Sequence, residues 1–232
     1  LEGGGELLAD RVVLATSAPV AAAMLVRQAP ELARTLASFP QAGLAVVAFA
    51  FRAEDLARPL DGYGYLVSRE ARLDTLGVVW ESSLFEGRAP AGHVLLRVML
   101  GGARRPEVAA LAEAEIVRRA QRELGDVLGI VAPPARTWTW RWPQAITQYT
   151  QGHLERVARA RAAAALHAGL ELCGTSYDGI SFTSAIVSAE RAAGRVLAAS
   201  TPGARAEVPP DASVAPLPPS AHGARAESAG VR

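Results

Sequence analysis

The sequence predicts an α/β fold of the α+β type, in which an antiparallel sheet is combined with helices. Four β-rich apolar segments are separated by Gly, Pro and Asp, a spacing typical of consecutive strands. Apolar side chains then recur at helical spacing, and alanine-rich helical segments follow. The predicted strands of the sheet are residues 43–51, 62–67, 76–80 and 93–100.

The chain begins with shorter elements that precede this sheet. Three glycines within residues 1–8 predict a hairpin, because glycine supplies the positive φ that tight turns need. The apolar run 11–16 predicts a strand. Residues 19–25 predict a helix, since Pro19 suits a first helical turn and Ala, Met and Leu favour helices.

A helix is predicted over residues 107–129, where Glu115 stands one turn before Arg119 and can pair with it. Gly129 is expected to end this helix. In the following TWTWRW, tryptophans alternate with Thr and Arg, which predicts a strand with one aromatic face. We interpret that face as packed, and we expect Pro143 to end the strand.

The last structured segments are a helix at 154–166, a short strand at 169–174 and a helix at 184–199. A glycine-rich loop connects the last two, so the amides of Ile180 and Ser181 should lie near a helix start that carries partial positive charge. Such a site suits an anionic ligand atom, although the same arrangement is common in ordinary α/β scaffolds. The Pro-, Ala- and Ser-rich residues 200–232 predict a disordered tail.

Composition excludes several classes of function. The 24 Lys and Arg nearly balance the 23 Asp and Glu, so the overall charge gives no reason to expect a nucleic acid partner. Cys173 is the only cysteine, which excludes an intramolecular disulfide and fits a reducing compartment. His153 has no second ligand nearby, so we expect it to pack or cap a helix, and we predict no metal. No apolar run reaches the length of a membrane span, and the first residues indicate a truncated start.

Four motifs, in order, resemble the protoporphyrinogen oxidase family of the flavin amine oxidase superfamily, in its C-terminal portion. The motifs are DGYGYLV at 61–67, LGVVWESSLFEGRAPAG at 76–92 with the following VLLRVMLGG, RWPQAITQYTQGHLERV at 141–157 and GLELCGTSYDGISFTSAIVSAERAAGRVL at 169–197. The resemblance covers nearly all of residues 1–198.

The resemblance implies a partial FAD-binding Rossmann-like domain and a substrate domain with a mixed β-sheet and helices. Residues 1–38 and 141–199 would belong to the FAD-binding domain, and residues 39–140 would form the substrate domain. The implied cofactor is FAD, the implied partner is a tetrapyrrole substrate, and the implied reaction oxidises protoporphyrinogen IX or coproporphyrinogen III with oxygen as acceptor. A homodimer and a cytoplasmic location with peripheral association on the inner face of the membrane are further expectations.

The resemblance also assigns site residues. Flavin contacts fall on Trp142, Ile180, Ser181 and Phe182, and substrate contacts fall on Phe85 and Leu66. A flat apolar tetrapyrrole suits an aromatic such as Phe85, since stacking needs area and not hydrogen-bond donors, and Arg88 nearby could meet a propionate. Without the flanking motif, Phe85 would be interpreted as a core aromatic. No catalytic acid or base is assigned.

The chain departs from the family pattern in two ways. The family usually has proline where Thr147 stands and glycine where Ser181 stands, changes that could alter loop geometry. No GxGxxG lies between a strand and a helix, so we expect the chain alone to bind FAD poorly and to be inactive. Two alternatives stay open, another flavin amine-oxidase-type oxidoreductase and a non-catalytic fragment that lacks the N-terminal FAD site.

Overall fold

Strands from the two ends of the described chain pair in parallel, and helices pack against their buried residues Leu14 and Leu172. The computed structural model describes residues 7–200, so the predicted hairpin at 1–8 lies largely, and the predicted tail almost wholly, outside the described residues. Strand β1 pairs with β7, with Val12 opposite Leu170. The elements of this part are β1 (Val12–Leu14), α1 (Ala18–Leu25), α2 (Pro30–Ala37), α5 (His153–Ala165), β7 (Leu170–Leu172) and α6 (Phe182–Ser200).

The helix α2 is absent from our sequence prediction. It begins with Pro30, which fits a first helical turn because its missing N–H is not needed there. Leu32, Ala33 and Leu36 form its buried side. These side chains pack with α1, β7 and α5 into the first of two hydrophobic cores.

The middle of the chain forms a five-stranded antiparallel sheet, which confirms the predicted antiparallel arrangement. Its spatial order is β3-β4-β5-β2-β6, so β3 and β6 are the edges. The elements are β2 (Gln41–Arg52), β3 (Gly64–Leu66), β4 (Thr75–Trp80), α3 (Glu81–Leu84), β5 (His93–Gly101), α4 (Glu113–Leu128) and β6 (Arg136–Thr147).

One face of this sheet packs on α4 and forms the second core. Ile116, Ala120 and Leu124 of α4 are fully or almost fully buried, as are Val47 and Val98 of the sheet. The helix begins at Glu113, later than predicted, because residues Pro106–Ala110 form a separate 3-10 turn.

The predicted C-terminal end of α4 and its predicted Glu115–Arg119 pair are confirmed. Gly129 ends the helix in a left-handed conformation with φ of 71°. The Arg119 guanidinium lies 2.6 Å from the Glu115 carboxylate, and hydrogen bonds from Arg118 and Arg119 lower the pKa of Glu115.

Our prediction that Pro143 ends its strand is wrong, because β6 continues to Thr147. Proline lacks the N–H that an interior strand would need, but β6 is an edge strand. The register also shifts here, since Leu44 pairs with Trp142 while Ala42 pairs with Ile146. The bulge therefore accommodates Pro143 without interrupting the strand.

A buried carboxylate ties α4 to β4. Glu123 is 2% exposed, and its two oxygens accept hydrogen bonds from the amides of Asp74, at 3.1 Å, and Thr75, at 2.9 Å. Burial, and then the Glu123 charge, raise the pKa of Tyr65 to about 12. This carboxylate therefore satisfies backbone groups that would otherwise be buried without partners.

Within residues 7–200, no helix combines the length and the apolar character that crossing a bilayer requires. No group of three or more His, Cys, Asp or Glu side chains in that range could hold a metal ion. Cys173 is buried, and burial raises the pKa of its thiol.

Candidate functional site

The sheet face opposite α4, which we call the open face, carries apolar and aromatic side chains from both edges. Leu66 pairs with Gly77, and Gly77 pairs with Met99. Met99 pairs with Val46, and Val46 pairs with Trp140. Because directly paired residues point to the same face, Leu66 and Trp140 share the open face. Four strand spacings separate them, which is roughly 19 Å.

Exposure along this face differs from our prediction for the tryptophans. Trp138, Trp140 and Trp142 each keep 37–45% of their surface exposed, so the interpretation of a packed aromatic face is wrong. Leu66 is 86% exposed and lies over Gly77, where a Cβ atom would come within 2.9 Å of Leu66 Cδ2. Two of the residues assigned by the resemblance, Leu66 and Trp142, are thus on one surface.

A groove of about 570 Å³, which we call the tryptophan groove, lies on the open face. Trp138 and Trp140 form its aromatic side, and Ala48, Ala50 and Leu95 contribute small apolar surface from β2 and β5. The groove is bounded by the loop residues 88–90, by Ala135 and by Arg136 at the start of β6. An apolar ligand with a flat body would fit such a surface.

Phe85 lies beside this groove. It follows α3, and half of its surface is exposed, so the alternative interpretation as a core aromatic is wrong. The guanidinium carbon of Arg88, a groove residue, lies 5.4 Å from the Phe85 ring centroid. On β5, Arg97 pairs with Glu81 of α3 at 2.7 Å, which holds this turn against the sheet.

The second predicted cluster is the start of α6. Phe182 is its first residue, and Ser181 Oγ accepts a hydrogen bond of 3.0 Å from the Ser184 amide, which is an N-cap contact. Ile180 and Phe182 are exposed. Their amides meet no acceptor within the described part of the chain. The serine that replaces the family's usual glycine therefore contributes a helix cap.

A tyrosine that our sequence reasoning missed holds this loop. The Tyr149 hydroxyl accepts a hydrogen bond of 2.6 Å from the Gly179 amide and donates one of 2.9 Å to the Thr175 carbonyl. Gly179 adopts φ of 118°, where a side chain would be strained, so the glycine is required at this turn. Burial is the main reason that the pKa of Tyr149 is raised.

His153 supports the tyrosine from behind. Its ring stacks on Tyr149 with centroids 3.7 Å apart, and it meets Phe39 edge to face at 5.7 Å. His153 is 5% exposed, and neither ring nitrogen has a partner among the described residues. Burial, and then the nearby Arg156, lower the pKa of His153, which keeps the imidazole neutral. Packing, one of the two roles that we predicted for His153, is what the geometry shows.

Tyr149 lies in the loop that follows β6, and His153 is the first residue of α5, so no helical or strand periodicity in the sequence links the two residues. Thr147, where the family usually has proline, also contributes polar contacts. Its hydroxyl lies 3.0 Å from Ser176 Oγ and 3.1 Å from Gln41 Nε2. Several contacts therefore join the end of β6 to the loop before α6.

The two clusters are not brought into one groove by the described residues. The tryptophan groove is lined by neither Phe85 nor residues 180–182. A second groove, of about 1040 Å³, lies between α1, α2 and the Pro143 bulge and contains neither. The start of α6 fits the edge of a flavin ring, since free amides and a helix N-terminus favour negative charge there.

Comparison with known proteins identifies a family. Residues 1–197 match the model of the family described as flavin containing amine oxidoreductase. Among curated proteins, the chain is 34% identical to the chloroplastic protoporphyrinogen oxidase of Nicotiana tabacum over 172 residues, which is 70% of this chain and 31% of that protein. It is 32% identical to the protoporphyrinogen oxidase of Bos taurus over 199 residues, 82% of this chain and 41% of that protein.

A coproporphyrinogen III oxidase from Bacillus subtilis is 28% identical over 181 residues, 78% of this chain and 38% of that protein. The chain thus spans about a third to two fifths of the length of these curated relatives.

Solved structures share the fold. A protein from Exiguobacterium sp. 255-15, provisionally named a protoporphyrinogen oxidase, superposes with a TM-score of 0.68 at 24% identity, over 82% of this chain and 41% of its own. Cyclohexylamine oxidase from Brevibacterium oxydans superposes with a TM-score of 0.60 at 17% identity, over 84% of this chain and 44% of its own. These likenesses confirm the predicted α/β fold.

Proposed function

Because this chain belongs to the flavin-containing amine oxidoreductase family, we propose that it serves an FAD-dependent oxidation of a porphyrinogen to the porphyrin, with molecular oxygen as electron acceptor. The curated relatives named protoporphyrinogen oxidase, at 34% and 32% identity, support this proposal. The coproporphyrinogen III oxidase at 28% identity is the reason that the proposal includes both protoporphyrinogen IX and coproporphyrinogen III as substrates.

The open face is the observation that carries the proposal. It presents apolar and aromatic surface from Leu66 at one edge to Trp142 at the other, with Phe85 beside it. A tetrapyrrole is a flat macrocycle, and stacking on aromatic and aliphatic surface recognises such a body through its area. A small primary amine would leave most of this surface uncovered.

In this proposal the chain's residues orient the substrate and the cofactor, and they do not transfer protons. FAD, when bound, supplies the chemistry by accepting a hydride from the substrate carbon. The amides of Ile180 and Phe182 would stabilise the negative charge of the reduced ring at its pyrimidine edge. Phe85, Leu66 and Trp142 would hold the macrocycle and exclude water from it. Tyr149 would keep the loop of these amides in place through Gly179.

The proposed function is tested with the full-length gene product supplied with FAD. Protoporphyrinogen IX and coproporphyrinogen III are added in separate reactions, and porphyrin fluorescence is followed in the presence and absence of oxygen. We expect oxygen-dependent fluorescence with at least one substrate and a lower kcat/KM in Phe85→Ala. Leu166→Ala, an exposed apolar residue at the end of α5, is the matched control and should keep the parent activity.

If neither porphyrinogen is oxidised by a flavin-loaded protein, the proposed substrate class is wrong. If the protein retains no FAD, the non-catalytic alternative is favoured. Cyclohexylamine serves as the substrate that tests amine oxidation. The cytoplasmic location, the membrane association and the homodimer are also proposals, which cell fractionation and sedimentation of the same protein can test.

A further inference from the structure

Two arginines beside the tryptophan groove have no acidic partner within residues 7–200. Arg88 contacts the Phe85 ring, and Arg136 contacts the Trp138 ring, each at 5.4 Å from the guanidinium carbon to the ring centroid. Both arginines are exposed and both line the groove. By contrast, Arg97 on the same face is neutralised by Glu81 at 2.7 Å.

The two free guanidinium groups leave the groove with an uncompensated positive charge. Its other lining is mainly apolar, formed by Trp138, Trp140 and the small side chains of β2 and β5. Stacking on an aromatic ring orients a guanidinium and leaves its N–H donors available to an anion. A carboxylate is the planar anion that such a donor fork fits best.

We propose that the tryptophan groove binds the carboxylate-bearing edge of a flat, apolar ligand, with Arg88 and Arg136 each receiving one carboxylate. This inference rests on the proposed tetrapyrrole function and assigns the propionate side chains of the substrate to this groove. Trp138 and Trp140 contact the adjoining part of the macrocycle. The charge complementarity of the two arginines is what selects this occupant over an uncharged or cationic one.

Binding is measured by quenching of tryptophan fluorescence in the full chain, because two of its four tryptophans line the groove. The probe is coproporphyrin III, which carries four propionates. The comparison probe is a porphyrin with four N-methylpyridinium groups, which shares the porphyrin core and carries the opposite charge. We expect saturable quenching by the anionic porphyrin that weakens as salt is added, and little quenching by the cationic one.

Three variants distinguish binding in the tryptophan groove from attraction by positive charge elsewhere on the surface. Arg88→Leu and Arg136→Leu should each raise the Kd for coproporphyrin III about tenfold, the effect of removing one charge-assisted hydrogen bond at a partly exposed site. Arg159→Leu removes the same charge from the exposed side of α5 and should leave the Kd unchanged. Both arginine side chains of the groove are exposed, so their replacement should not prevent folding, which circular dichroism verifies.

Equal quenching by the two porphyrins would overturn the inference, as would Arg88→Leu and Arg136→Leu variants that bind like the parent. Binding that depends on both arginines, in a protein that fails to oxidise either porphyrinogen, would support the groove and refute the proposed reaction. Oxidation of a porphyrinogen that is insensitive to both substitutions would refute the groove alone.

Discussion

The Tyr149 hydroxyl is the contact through which the end of β6 holds the loop that precedes α6. Replacing Tyr149 by Phe removes the bond from the Gly179 amide, at 2.6 Å, and the bond to the Thr175 carbonyl, at 2.9 Å. The stack of the ring on His153, at 3.7 Å, is retained. The substitution therefore isolates the hydroxyl from the packing of the ring.

Two neutral hydrogen bonds contribute about 1 kcal/mol each to stability, with a spread of about half of that. Tyr149 is 42% exposed, so water can replace part of what is lost. We therefore expect Tyr149→Phe to lower the free energy of unfolding by about 1.5 kcal/mol. For a chain of this size that corresponds to a decrease in Tm of about 3–6 °C.

The assay is urea and thermal unfolding followed by circular dichroism, with Tyr63→Phe as the control. Tyr63 is 77% exposed, and its hydroxyl makes no hydrogen bond within the described residues, so this change should stay within about 0.5 kcal/mol. In the flavin-loaded full-length gene product, Tyr149→Phe should also speed flavin release, measured by the fluorescence of the free cofactor. Equal stabilities of the two variants, with equal flavin retention, would refute the idea that this hydroxyl holds the loop.

Four further substitutions have defined outcomes. Burial lowers the pKa of His153 from its ordinary 6.5, so the folded state binds fewer protons than the unfolded state, and the free energy of unfolding should fall as the pH drops below about 6.5. His153→Phe should reduce this pH dependence, measured by urea titrations at pH 7.5 and 5.5. An unchanged pH dependence in the variant would contradict the role of His153. Gly179→Ala should destabilise by about 1–3 kcal/mol in thermal unfolding, because its φ is 118° and the new Cβ would lie 2.6 Å from Ser184 Oγ. Gly194 lies in open space within α6, so Gly194→Ala should instead stabilise the fold by about 0.5–1 kcal/mol. A change of stability with the same sign for both glycine substitutions would refute the special backbone role assigned to Gly179. Glu123→Gln should lower the free energy of unfolding in urea by about 2 kcal/mol, because an amide nitrogen would replace one oxygen that accepts a buried backbone N–H. A decrease below about 0.5 kcal/mol would show that water or a local rearrangement satisfies the amides of Asp74 and Thr75.

Local patterns were sufficient for much of the fold. The strand segments, the Glu115–Arg119 pair and the αL glycine at 129 were predicted because each depends on neighbours within a few residues. The start of α6 was placed only approximately from its motif, two residues late, since helix ends are set by caps such as Ser181. Pro30 indicates the start of α2, and that helix could have been predicted by the same reasoning.

The candidate site was determined only in part by such patterns. The motifs name Phe85, Leu66 and Trp142, but their common surface follows from the pairing of strands far apart in the sequence. The site assignments themselves stay predictions, as do the domain boundaries at 38/39 and 140/141. Arg88 and Arg136 are 48 positions apart in the numbering, and only the sheet brings both to one groove.

By itself, the sequence determined most of the helical and strand segments and the family that they resemble, since periodicity and motif order are properties of neighbouring residues. Tertiary structure alone decided that Pro143 lies within an edge strand, that the three tryptophans face solvent and that Tyr149 anchors the loop before α6. Exposure and long-range hydrogen bonds depend on what packs against a residue, and those neighbours come from distant parts of the chain.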